Sequence, residues 1–145
     1  MKILYSNILV IIQFGAIAAI AFTGPLFAKP WYLLVIEAAG IFLGVYAILV
    51  MRVGNFNVRP IVKTEGRMVT HGPYRIIRHP MYTSILLTLI PLLIHHFTWI
   101  RLTIMLILTI NLIIKMVFEE SLLKAHFPSY RSYMKKTYRI IPFIF

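Results

Sequence analysis

Residues 79–118 read HPMYTSILLTLIPLLIHHFTWIRLTIMLILTINLIIKMVF, and they decide the fold. Arg101 and Lys115 are the only Lys, Arg, Asp or Glu in this stretch. The charge-free runs 79–100 and 102–114, the second continuing apolar past Lys115 to Phe118, approach the roughly 20 residues that cross ~30 Å of hydrocarbon. With Arg101 alone between them, they read as a helical hairpin whose last turn emerges from the bilayer. Pro80 suits the first turn of its helix, where a missing N–H costs nothing.

Two further spans lie upstream. Residues 3–28 carry no charge at all, and residues 30–51 are interrupted only by Glu37. The first run is longer than the ~7–15-residue apolar core of a signal peptide, so it is expected to stay in the protein. Pro30 falls in the first turn of the second, and Trp31-Tyr32 suit an interfacial aromatic belt. Four transmembrane helices in an all-α bundle are the expected architecture. The whole chain reads as a single domain, with packing helices in 1–52 and the chemistry in 53–145.

Composition agrees. Of 145 residues, 60% are hydrophobic and 13% charged, against about 25% charged in a soluble domain. A soluble globule, a disordered tail and a collagen-like fibre are excluded. Cysteine is absent, which removes disulfides, thiol nucleophiles and Cys-ligated metals. The 15 basic residues face only four acids, Glu37, Glu65, Glu119 and Glu120. Threading the chain through the membrane puts thirteen bases on the side of both termini and leaves Lys29 and Arg101 on the other. The positive-inside rule then makes both termini and the 52–80 connection cytoplasmic. The high pI is thereby explained by topology, and no nucleic-acid motif accompanies it.

Gly40 and Gly44 form a small-xxx-small pair, read as close packing within the chain in preference to dimerisation. Glu37 lies near the outer end of its helix and is either functional or simply interfacial. The connection 53–79 is long and rich in Gly, Asn and Pro, with Tyr74, Ile76 and Ile77 expected to pack back on the membrane domain. The C-terminal tail reads as a helix leaving the membrane at 118–126, a break at Pro128 and then a basic amphipathic segment.

Two polar clusters meet at the cytoplasmic end of the hairpin. On the fourth helix Asn111, Lys115 and Glu119 share a face, with an intrahelical Lys115–Glu119 pair as the plain reading. Glu120 points about 100° away from Glu119. Two adjacent acids beside a basic loop complement a cationic ligand. Opposite them, Arg78 and His79 stand at the N-terminal mouth of the third helix, where free backbone N–H groups favour an anion. Together these ask for a zwitterion carrying an extra positive centre, although Arg78 can equally anchor the helix to lipid phosphate. His95-His96 lack a nearby acid and make no metal site, and no nucleophilic triad or phosphate loop appears.

The segment Gly72-Pro73-Tyr74-Arg75-x-x-Arg78-His79-Pro80-x-Tyr82 resembles the signature of the isoprenylcysteine carboxyl methyltransferases, a group related to the phospholipid methyltransferases. Glu119-Glu120-x-x-Leu123, Phe127-x-x-Tyr130-x-x-Tyr133 and Arg139-x-x-Pro142 are similar to the C-terminal motif of that family. The resemblance covers residues 50–145 and implies an S-adenosylmethionine-dependent membrane enzyme. It implies that His79 and Tyr82 hold the methionine portion, and that Glu119 or Glu120 with Leu123 lines the pocket around amine and nucleoside. Tyr74, Tyr130 and Tyr133 would close over the cofactor. Arg78 would orient a lipophilic or membrane-delivered acceptor, most naturally anionic, and a glutamate, Glu119 for preference, would stabilise positive charge. Where the family usually has x-Gly after the motif tyrosine, this chain has Thr83-Ser84. A reductase related to the NADPH-dependent sterol reductases and a non-catalytic lipid-binding protein are the alternatives.

Overall fold

The computed structural model describes residues 2–51 and 68–142. The bases Arg52, Arg59, Lys63 and Arg67, the acid Glu65, the Gly, Asn and Pro positions of 53–67 and the closing 143–145 lie outside them.

Four long helices form the body: α1 (Lys2–Phe22), α2 (Trp31–Met51), α3 (Pro80–His95) and α4 (Trp99–His126). A single 3-10 turn, Gly72–Arg75, precedes α3, and a short α5 (Tyr130–Met134) follows α4. Among the described residues there is no strand. The expected helical membrane bundle is therefore what the chain forms, an integral membrane protein with lipid-sized apolar faces.

The helix lengths have physical causes. Helix α4 runs 28 residues, about 42 Å, and carries its helix well past the apolar stretch. The sequence Glu119-Glu-Ser-Leu-Leu-Lys-Ala-His126 is rich in strong helix formers, so leaving the bilayer does not end it. Its start is capped by Thr98, whose Oγ1 accepts the Arg101 N–H at 3.2 Å. Helix α3 is only 16 residues, about 24 Å, fixed at one end by Pro80 and ending at His95-His96. Three helices are long and apolar enough to span a bilayer, and α3 is a shorter apolar helix beside them.

The helices of the hairpin lean on the N-terminal pair more than on each other. Helix α2 packs along α3, and α1 packs along α4. The α2–α3 seam is made by the expected glycines. A Cβ on Gly40 would stand 2.7 Å from Thr88 Oγ1 and 2.8 Å from the Thr88 backbone nitrogen, and one on Gly44 would collide with Ser84 Oγ. Ser84 uses that space to donate to the Gly40 carbonyl at 2.7 Å. The side chain that replaces the usual glycine is thus turned toward α2. In the α1–α4 seam, Asn111 Nδ2 donates to the Leu9 carbonyl at 3.0 Å and Lys115 Nζ to Gln13 Oε1 at 2.5 Å.

Apolar side chains of α1, α3, α4 and the tail meet in one core that includes Ile20, Leu89, Leu92, Leu108, Leu112, Met116 and Ile140. Large apolar residues such as Ile11, Phe42, Leu49 and Ile110 remain outside it and exposed, as lipid-facing side chains must be. At the end of the bundle away from the chain termini, Glu37 is buried and accepts the Ala28 N–H at 3.0 Å. Its position is explained by fastening the α1–α2 loop. Arg101 and His96 pack against Gly24 at the same end.

Candidate active site

Residue order dictates the entry to α3. Gly72 adopts φ +60°, in the left-handed region that favours glycine, and lies against Val50. Pro73 then begins the 3-10 turn. Pro80 pushes His79 out of the helical region, to φ −123° and ψ 58°. His79 thus becomes the residue from which α3 departs.

The backbone N–H groups of Arg78 and His79 are not free, contrary to the sequence-based expectation. They donate to the carbonyls of Tyr138 (2.7 Å) and Arg139 (3.1 Å), while Tyr138 N–H donates to the Ile76 carbonyl (2.9 Å). The tail folds back after α5 and pairs in parallel with this segment, Ile77 opposite Tyr138. The basic segment expected after Pro128 takes the form of a five-residue helix, with Tyr130 buried and Arg131 exposed, followed by an extended stretch docked beside Ile77. Backbone carbonyls of the tail outcompete any external anion for those two donors.

Side chains complete the junction. His79 lies between the two glutamates, Nδ1 at 3.5 Å from Glu119 Oε2 and Nε2 at 3.4 Å from Glu120 Oε1. Glu120 is 1% exposed and also takes Arg78 Nε at 2.8 Å and Arg139 Nη2 at 3.3 Å. Glu119 accepts the Tyr82 hydroxyl at 2.9 Å through Oε2, and its Oε1 has no partner among the described residues. The 100° offset of adjacent helix positions therefore sorts the pair. Glu120 is the buried partner of Arg78, Arg139 and the His79 imidazole, and Glu119 Oε1 has no partner among the described residues.

Arg78 ties the junction to the tail. Its Nη1 donates to the carbonyls of Met134 (3.1 Å) and Thr137, and to Thr137 Oγ1 (3.3 Å), leaving Nη2 without a partner among the described residues. Tyr74 is buried against α2, with its hydroxyl 3.5 Å from the Ala47 carbonyl, and the Tyr133 hydroxyl donates to the Tyr74 carbonyl at 2.6 Å. Tyr130 is buried beside Tyr133, ring centroids 5.7 Å apart. The rings of His79 and Tyr82 stack at 5.4 Å, and Lys115 Nζ lies 5.3 Å from the Tyr82 ring centroid. Leu123, half-buried, stands one turn beyond Glu119.

Burial drives the His79 imidazole toward neutrality, but the Glu119 and Glu120 carboxylates outweigh it and hold its pKa above the ordinary value. Burial raises Tyr74, further supported by Glu119, and it pushes the Tyr133 phenol up to about 12. These tyrosines are hydroxyl donors at neutral pH.

All nine residues named from sequence thus fall at one end of the bundle. Arg78, His79, Tyr82, Glu119 and Glu120 are joined in one network, Tyr74, Tyr130 and Tyr133 form a second layer, and Leu123 borders them. Sequence reasoning passed over Gln13 and Thr137. Gln13 had a signal, an amide inside a 26-residue uncharged run, whereas Thr137 had none. Among the described residues no group of three His, Asp or Glu stands ready for a metal ion.

A search of curated proteins and of solved structures gives no match to this chain. Residues 16–129 match the phospholipid methyltransferase family, from the middle of α1 through all of α4. That match spans most of the sequence and contains the Arg78–Tyr82 and Glu119–Glu120 segments on which the network is built. The chain belongs to the phospholipid methyltransferase family.

Proposed function

We propose that this membrane protein transfers a methyl group from S-adenosylmethionine to a lipophilic or membrane-delivered small acceptor, at the end of the bundle that faces the cytoplasm. The observation that carries the reading is the partnered arrangement of His79, Tyr82 and Glu119. The Tyr82 phenol and one nitrogen of the buried His79 imidazole both face Glu119 Oε2, the other His79 nitrogen faces Glu120, and Glu119 Oε1 has no partner among the described residues. That oxygen fits an ammonium, and the surrounding tyrosines fit the adenine and the sulfonium.

The cofactor supplies an electrophilic methyl on a positively charged sulfur. Glu119 holds the amino group, with Tyr82 and His79 fixing the carboxylate in one orientation. Leu123 and the Tyr130–Tyr133 pair would cover the nucleoside, and Tyr74, in the 3-10 turn packed against α2, would brace them through its carbonyl bond to Tyr133. Arg78 offers Nη2 to an anionic group on the acceptor while its other nitrogens keep the tail in place. When bound, the cofactor would supply a methyl group open to in-line displacement by an acceptor lone pair, its sulfur leaving with the bonding electrons, and Glu119 and Arg78 would set the alignment. Such in-line transfer needs alignment above all, worth up to ~7–11 kcal/mol, and a shielded site strengthens every charge contact. No nucleophilic side chain is required.

Calorimetry of the detergent-solubilised protein tests this reading. S-adenosylhomocysteine should give a saturable heat and NADPH none. Absence of the first, or the reverse pattern, overturns it. Membranes incubated with methyl-labelled cofactor then identify the acceptor by which fraction, lipid, protein or volatile, takes up label.

A further inference from the structure

Beyond the network, the end of α4 and α5 enclose a separate open groove of about 450 Å³, lined by Lys124, Arg131, Met134 and Lys135. Its three cations are exposed, and none makes an ion pair with a described residue. The described acids are all engaged elsewhere: Glu37 with Ala28, Glu119 with Tyr82 and His79, Glu120 with Arg78, His79 and Arg139. Three like charges around one hollow repel one another, and an anion seated among them removes that cost.

The height of the groove names the source of the anion. Val117 is the last large apolar side chain exposed on α4, and Lys124 lies seven residues, about 10 Å, beyond it. Helical side chains lean back toward the helix N-terminus, which returns the Lys124 ammonium toward the bilayer. The polar headgroup layer is about 5–7 Å deep on each face. Met134 adds an apolar wall suited to the glycerol end of a lipid. We propose that this groove is a binding site for the phosphate of an anionic phospholipid, distinct from the place where methyl transfer occurs.

The groove also touches the site. Met134 lines it through its side chain while its carbonyl accepts Arg78 Nη1, and Tyr130 and Tyr133 belong to the same five-residue helix. A lipid phosphate bridging Lys124 to Arg131 and Lys135 would clamp α5 against α4. On the methyltransferase reading, anionic bilayers then raise cofactor affinity.

Native mass spectrometry of the whole protein released from detergent, offered phosphatidylglycerol or phosphatidylcholine, measures the binding without reference to activity. The wild type should retain phosphatidylglycerol roughly tenfold or more over phosphatidylcholine, and the preference should weaken as salt is raised. The triple variant Lys124→Gln, Arg131→Gln, Lys135→Gln should lose the preference while keeping its helical circular-dichroism spectrum and melting. Equal retention of the two lipids, or an undiminished preference in the folded variant, overturns the proposal. So does glycerol phosphate competing as well as the lipid, which makes the groove a site for a soluble phosphate. Calorimetry of S-adenosylhomocysteine in phosphatidylglycerol-containing and phosphatidylcholine nanodiscs reads the coupling. Should that cofactor bind in neither, the methyltransferase reading fails while the lipid site still stands on the mass spectra.

Discussion

Neighbouring glutamates at one helix end should behave as two different residues. Glu120 is 1% exposed and neutralises Arg78, whose side chain is 7% exposed, at 2.8 Å. Glu120→Ala strands that guanidinium, and His79 beside it, in a place water does not reach. Removing one partner of a buried pair costs about 3–5 kcal/mol. Glu120→Gln keeps the volume and one acceptor, so its cost should be nearer 1.5–3 kcal/mol, the usual range for a hydrogen bond to a charged group. Glu119 is different. Its side chain is 23% exposed, and an amide there still accepts the Tyr82 hydroxyl, so Glu119→Gln should cost about 1 kcal/mol or less in stability. On the proposed methyltransferase reading its loss should appear in binding, where giving up a charged contact to the cofactor's amine should weaken affinity by about 10- to 100-fold. Thermal melting of the detergent-solubilised variants and calorimetry with S-adenosylhomocysteine separate the two effects. The reasoning is refuted if Glu119→Gln melts as low as Glu120→Ala, or if Glu120→Gln melts like wild type yet no longer binds.

Three further outcomes follow from the same geometry. Because His79 has a folded-state pKa above its ordinary value of about 6.5, its contribution to stability is complete below that pH and fades as pH rises through the folded value; the melting gap between wild type and His79→Gln should shrink on the alkaline side. Gly40→Ala sets a Cβ 2.8 Å from the Thr88 backbone nitrogen, which cannot rotate away, and should lower stability by about 1–3 kcal/mol, read in the same melting assay. Tyr133→Phe removes the 2.6 Å bond to the Tyr74 carbonyl and should cost about 1 kcal/mol while weakening cofactor binding, since the α5 ring then loses its tether to the loop.

How much of this was legible in the residues depends on whether side chains or backbone do the work. The spans were visible because uncharged runs admit few alternatives in lipid, and the Gly40–Gly44 contact was visible because nothing larger fits between two helices. The choice of partners, α2 on α3 and α1 on α4, was not, since a lipid-facing Ile and a helix-facing Ile look alike in a sequence this apolar. The polar exceptions inside the runs carried that information: Asn111, Lys115 and Gln13 mark the α1–α4 seam, and Ser84 marks the α2–α3 seam. Backbone contacts were the least legible. The docking of the tail rests on carbonyls of Met134, Thr137, Tyr138 and Arg139, acceptors that every residue possesses.

Those carbonyls also change what the two motifs mean. Read as separate strings, Arg78-His79-Pro80 supplies an anion-binding mouth and Glu119-Glu120 a cation-binding one. In the fold, most of that charge is spent internally, Glu120 against Arg78 and Arg139, and the N–H groups of the mouth against the tail. Among the described residues, the unspent remainder is one oxygen of Glu119 and one nitrogen of Arg78, a carboxylate and a guanidinium held by buried neighbours at fixed places. A site that must orient a cationic methyl donor toward an acceptor needs rigid placement more than it needs net charge, because a misplaced reacting atom forfeits the alignment on which in-line transfer depends. On the proposed reading, the ion pairs at this junction are the frame that positions one oxygen of Glu119 and one nitrogen of Arg78, and the Glu119→Gln and Glu120→Gln pair separates frame from contact.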